Sequence, residues 1–123
     1  MLNPLGIGWV GLFANDLTQL AVFYERTLGL RVIERAEGYC IFDAGCGALF
    51  ELWSEGFASP GRKTPREQSM LVGFTVERLE PAIEMLRNRG LHADTEIGTH
   101  LGTRWLHFKD SEGNRFELKD TNG

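Results

Sequence analysis

The chain carries one unit twice. Residues 10–17 read VGLFANDL and residues 72–79 read VGFTVERL. Each copy is followed by a helical pattern that closes on Gly-Leu, at Gly29-Leu30 and Gly90-Leu91. Each half then ends on the same tripeptide, Phe50-Glu51-Leu52 and Phe116-Glu117-Leu118. A duplicated unit of this size builds one small module two times over. The two copies set matching side chains at matching strand positions, so Glu51, Glu117 and the strands that open the repeats are the first places to look for chemistry.

Within each repeat the apolar period switches from 2 to 3.6 and back. Residues 8–14 alternate as a strand does. Asp16 and Gln19 have capping-box spacing. Leu20, Phe23, Tyr24 and Leu28 share a helical face that Gly29 ends. Residues 30–35, 39–43 and 47–53 read as three strands, with turns at Gly38 and at Gly45-Cys46-Gly47. The second half repeats the order. A strand at 70–76 precedes a helix bracketed by Pro81 and Gly90, with Leu79, Ile83 and Leu86 inward. Strands follow at 92–97, 103–109 and 114–119, the last two joined by the turn Asp110-Ser111-Glu112-Gly113-Asn114. Residues 54–69, SEGFASPGRKTPREQS, are polar with Gly and Pro and read as a linker. Its basic cluster Arg62, Lys63 and Arg66 reads as a solvated loop. The prediction is one α+β domain over 1–123, made of βαβββ modules at 5–53 and 70–120.

Composition fits such a domain and removes several function classes. The chain has 123 residues, 42% hydrophobic and 24% charged, which is enough to bury a core without staples. A net charge of −4 and a pI near 5.4, with no basic stripe, argue against nucleic acid. The N-terminal stretch MLNPLGIGWV lacks the basic and apolar regions of a signal peptide. No apolar run approaches the roughly 20 residues of a spanning helix. A cytoplasmic protein without a membrane partner is expected. Cys40 and Cys46 form no CxxC and read as reduced thiols, although spacing alone does not decide between thiols and a bridge.

The order of elements, with DLTQLAVFYERTLGL at 16–30 and KDSEGNRFEL at 109–118, resembles the vicinal-oxygen-chelate superfamily. That superfamily includes glyoxalase I, extradiol dioxygenases and the bleomycin- and fosfomycin-resistance proteins. The first string is similar to the family's Asp-Leu, Phe-Tyr, Leu-Gly-Leu helix. The second is similar to its Asp-Pro-Asp-Gly-Asn hairpin followed by Glu-Leu, with Ser111 in place of the proline. The resemblance implies a curved, cleft-bearing mixed sheet with helices outside. It also implies one metal ligand from each of four strands: His or Gln in the first, Glu ending the fourth, His opening the fifth, Glu in the eighth. Carried onto this sequence, the two Glu positions fall on Glu51 and Glu117, whereas the other two fall on Trp9 and Leu71. Neither Trp nor Leu has a lone pair to offer a divalent metal. Two carboxylates alone make a poor site for metals that want three or four protein ligands. No metal and no cofactor are therefore expected.

Strand parity indicates what stands there instead, because residues two apart share a face. Trp9, Gly11 and Phe13 lie together, Leu49 and Trp53 accompany Glu51, and Arg115 and Lys119 accompany Glu117. A short turn at 110–114 sets His107 opposite Glu117, with Trp105 one pair further along. Cys40 falls on the Glu51 face by the same count, as a buried thiol. Aromatic faces attract cations, and carboxylates supply counter-charge.

Two functions remain open. One is a metal-independent binding protein, homodimeric like the bleomycin-binding type, holding a small aromatic or cationic molecule on Trp9, Phe13, Trp53, Trp105 and Arg115. The other is a lyase, isomerase or dioxygenase-like enzyme using Glu51, Glu117 and His107 as acid–base groups or metal ligands. Beside both stands a plain structural account. The tryptophans fill space, the carboxylates pair with Arg115, Lys119 or His107, and His92 and His100 lie on the surface.

Overall fold

A computed structural model describes residues 1–54 and 70–121. Residues 55–69 lie outside the described residues, and with them nearly all of the expected linker and the cluster Arg62, Lys63 and Arg66. The chain divides into two compact units, one from each half. Each holds a four-stranded mixed sheet and one helical segment in the βαβββ order read from the sequence.

The first unit runs β1 (Trp9–Phe13), α1 (Leu17–Val22), β2 (Val32–Ala36), β3 (Tyr39–Asp43) and β4 (Leu49–Trp53). The sheet order is β1-β4-β3-β2, with β1 parallel to β4 and the other pairs antiparallel. Asp16 caps α1 as its position predicts, its Oδ1 accepting the Gln19 N–H at 3.1 Å. The helix does not end as a plain α-helix. Phe23–Thr27 widen into a π-helical turn, and the Leu28 N–H reaches back to the Phe23 carbonyl at 3.0 Å. Gly29, at φ 84, then takes the left-handed conformation that lets the Leu30 N–H close on the Tyr24 carbonyl. Leu20, Ala21 and Tyr24 are buried, as are Cys40, Phe42, Phe50 and Leu52 of β3 and β4. The Tyr24 ring lies 4.7 Å from Phe50 and 6.4 Å from Phe42. Burying each such ring contributes about 1.5–3 kcal/mol.

Cys40 is a correction to the parity reading. The turn centred on Cys46 sets Ile41 opposite Glu51 and Cys40 opposite Leu52. Cys40 is therefore in the core, on the face away from Glu51. Both cysteines are free thiols.

The second unit runs β5 (Val72–Thr75), α2 (Leu79–Asn88), β6 (Gly98–His100), β7 (Thr103–Lys109) and β8 (Arg115–Asp120), in sheet order β5-β8-β7-β6. Leu79 and Leu86 of α2 are buried, and so are Leu106, Phe108, Phe116 and Leu118. Phe108 and Phe116 stack at 5.7 Å. Asp110 shapes the β7–β8 hairpin with its own side chain. Its Oδ1 accepts the N–H groups of Glu112 and Asn114, and Asn114 Nδ2 donates to its Oδ2, all at 2.9 Å.

Two features of this unit depart from the sequence reading. The strand expected at 92–97 is displaced to Gly98–His100. Residues 94 and 95 do run beside β7, where the Asp94 N–H donates to the His107 carbonyl at 2.7 Å. The return bond, however, goes from the His107 N–H to Thr95 Oγ1 at 3.0 Å. A side chain takes the place of a backbone acceptor, so no ladder forms there. The start of α2 is the second departure. Arg78, at the N-cap, supplies no side-chain cap. Instead Asp120, fully buried at the end of β8, accepts the Leu79 N–H at 2.7 Å. Arg104 holds the same carboxylate through Nε at 3.0 Å and Nη2 at 2.7 Å, and forks onto Glu80 at 2.7 and 2.8 Å. The guanidinium, helped by a backbone N–H, holds the Glu80 carboxyl down at about 2. Among the described residues no helix is long and apolar enough to cross a membrane.

Candidate binding site

In the first unit Trp9, Gly11 and Phe13 stand opposite Leu49, Glu51 and Trp53, and β3 adds Tyr39, Ile41 and Asp43 on the same face. Glu51 lies at the centre of this patch and is only 9% exposed. Its Oε1 accepts the Trp53 indole N–H at 3.0 Å. Among the described residues it has no other hydrogen-bond partner and no cation. The surrounding rings are open to solvent: Trp9 is 57% exposed, Phe13 72% and Trp53 37%. Tyr39 supports Trp53, with ring centroids 4.9 Å apart. A buried carboxylate with one neutral donor is costly unless a cation joins it.

Tyr39 and Gly11 were not picked out as site residues from the sequence. The symmetry of the turn about Cys46 could have placed Tyr39 on the Glu51 face. No sequence signal marks what Gly11 does, since its role depends on the Trp9 rotamer. A β-carbon at Gly11 would stand 2.6 Å from Cζ3 of Trp9, closer than real contacts allow.

In the second unit His107 faces Glu117 and Trp105 faces Lys119, the register the short hairpin predicts. The His107 Nε2 lies 3.2 Å from Glu117 Oε1. The other ring nitrogen, Nδ1, is buried and without a hydrogen-bond partner. An orphaned lone pair there costs less than an orphaned N–H, and Glu117 is a natural acceptor. Both facts favour the tautomer that carries its proton on Nε2 and donates it to Glu117. Glu117 Oε2 points toward Gly73, where a β-carbon would approach to 3.0 Å. The Trp105 indole lies across Gly98, with three atoms within 2.7–2.9 Å of the β-carbon position. Arg115 shares this face but is engaged by Asp94 at 2.7 Å, and Lys109 Nζ approaches the same carboxylate at 3.8 Å. This face thus carries Arg115, Lys109 and Lys119 against Glu117 and Asp94, whereas on the first, among the described residues, Asp43 is paired with Arg31 and the buried Glu51 has no cation. His92 and His100 are exposed.

Among the described residues, neither unit by itself brings together three metal-donating side chains. The resemblance carries the first ligand position onto Trp9 and the third onto Leu71; the cross-strand neighbours of Glu51 are Gly11 and Ile41, and Glu117 has His107 beside it. Among the described residues no group of three His, Cys, Asp or Glu side chains could hold a metal ion.

The sheet order, the duplicated module and the paired Glu positions define a class, and comparison with known proteins names it. The model of the glyoxalase/bleomycin resistance protein/dioxygenase superfamily matches residues 6–118, and the chain belongs to that superfamily. Solved structures share the fold at low identity. A glyoxalase/bleomycin resistance protein/dioxygenase from Nocardioides is 22% identical, with 98% of this chain and 85% of that one covered and a TM-score of 0.72. A glyoxalase/dioxygenase from Nostoc punctiforme is 18% identical, with 98% and 95% covered and a TM-score of 0.78. A glyoxalase/bleomycin resistance protein/dioxygenase from Alicyclobacillus acidocaldarius is 16% identical, with 98% and 94% covered and a TM-score of 0.73. No curated protein matches the chain.

Proposed function

We propose that this protein binds a small organic cation with aromatic character, without a metal, on the face of the first sheet that carries Glu51. The observation that carries the reading is the buried Glu51 carboxylate. Trp53 is its one hydrogen-bond partner among the described residues, and exposed aromatic rings surround it. A ligand cation supplies the missing counter-charge, and the indole faces add cation–π attraction and apolar area. Benzyltrimethylammonium and its uncharged carbon isostere neopentylbenzene test this. The cation should quench tryptophan emission and raise the melting temperature, and Glu51→Gln should weaken it while leaving the isostere unchanged. Equal affinity for cation and isostere refutes the reading.

A second reading rests on the His107–Glu117 pair. With His107 donating from Nε2 to Oε1, Glu117 keeps Oε2 to take a proton from carbon. That chemistry suits a lyase or isomerase acting next to a carbonyl. Wash-in of solvent deuterium at such a carbon, lost in Glu117→Gln, supports it. Absence of exchange across a panel of α-hydroxy ketones and thiohemiacetals removes it.

A further inference from the structure

Two indoles of the first unit converge on one row of the sheet. That row runs Gly11, Glu51, Ile41 across β1, β4 and β3. Trp9 starts one row to one side and Trp53 one row to the other. The Trp9 ring crosses onto the central row, with Cζ3 where the β-carbon of residue 11 would stand, 2.6 Å from it. Trp53 leans back from the opposite side and donates its indole N–H to Glu51 at 3.0 Å. A side chain at position 11 would force the Trp9 ring to shift from this seat, and the ring, exposed on its outer side, has room to move.

We propose that Gly11 is a specificity-determining residue: by leaving room for the Trp9 ring beside Glu51, it makes a site that selects alkylated ammonium groups over primary amines. The inference rests on the reading of Glu51 as a cation site and adds what kind of cation fits. Glu51 has committed one oxygen to Trp53. A primary ammonium brings three strongly hydrated N–H donors, and against the indole rings it gives up part of that water for the one oxygen of Glu51 that Trp53 leaves free. A trimethylammonium group brings none. Its methyl groups cover the indole faces while its charge is offset by the carboxylate.

The experiment compares benzyltrimethylammonium with benzylammonium by calorimetry on the whole chain. Wild type should prefer the trimethyl compound by about tenfold, the scale of one partly desolvated cation–π contact. Gly11→Ala and Trp9→Leu should each remove that preference by weakening the trimethyl compound alone. In a Trp105→Phe background without ligand, Gly11→Ala should shift tryptophan emission to the red as Trp9 leaves its seat. If Gly11→Ala changes neither affinity nor emission while Glu51→Gln still weakens both cations, the inference falls and the cation site stands. If wild type binds neither cation, both fall. Should Gly11→Ala fail to fold, Trp9→Leu decides: an unchanged preference overturns the proposal.

Discussion

Replacing Glu51 with Gln should move the empty and the liganded protein in opposite directions. The substitution keeps the acceptor for the Trp53 N–H and removes the charge. In the empty protein that charge is about nine-tenths buried, with no cation beside it among the described residues. Burying an ion costs several kcal/mol. One hydrogen bond to a charged group returns about 1.5–3 kcal/mol of that. The net relief on neutralisation is about 1–2 kcal/mol, or about 3–8 °C in melting temperature for a chain of this length. With a bound cation the sign reverses. Two charges about 4 Å apart interact by about 4 kcal/mol at an effective dielectric of 20. Desolvating the ligand cancels part of this, and a loss of about 2 kcal/mol remains, roughly thirtyfold in Kd. Thermal melts with and without benzyltrimethylammonium read both effects on one sample. A Glu51→Gln variant that melts lower when empty would show that the carboxylate is held structurally. The reasoning from uncompensated charge would then be wrong.

Asp120→Ala should destabilise by about 3–5 kcal/mol, because it strips Arg104 of a buried partner and the Leu79 N–H of its cap. A loss under 1 kcal/mol in urea melts, where surface changes fall, would refute that account. The Glu80 carboxyl is lowered from 4.5 to about 2 in the folded chain. Its pairing with Arg104 therefore stabilises fully above pH 4.5, and that contribution fades as pH falls toward 2. Glu80→Gln should lower stability across the neutral region, leave it little changed near pH 2, and so flatten the acid limb between. A homodimer is expected from the half-open module, and light scattering that gives a monomer at micromolar concentration would contradict it.

The sequence alone determined whatever rests on local chemistry and short-range pairing. The repeat fixed the two modules, and Asp16 and Gly29 bounded the first helical segment. The short turn held by Asp110 fixed the β7–β8 register, and with it the meeting of His107 with Glu117. Side-chain alternation put Trp9 with Phe13 and Glu51 with Trp53, because a strand has a period of 2 whatever surrounds it; that the two pairs share one face was decided by the β1–β4 register. Only the tertiary structure decided the contacts that join distant segments or depend on a rotamer. Asp120 caps a helix that begins at Leu79, and no local pattern announces it. Thr95 ends a ladder by taking a backbone N–H from a strand that comes later in the chain. Cys40 went to the core and Tyr39 to the Glu51 face because the turn about Cys46 sets the parity of β3 relative to β4. Trp9 crosses to the Glu51 row because Gly11 leaves that volume empty. Which way a ring leans into such a gap is settled by packing in three dimensions and not by its position along the strand.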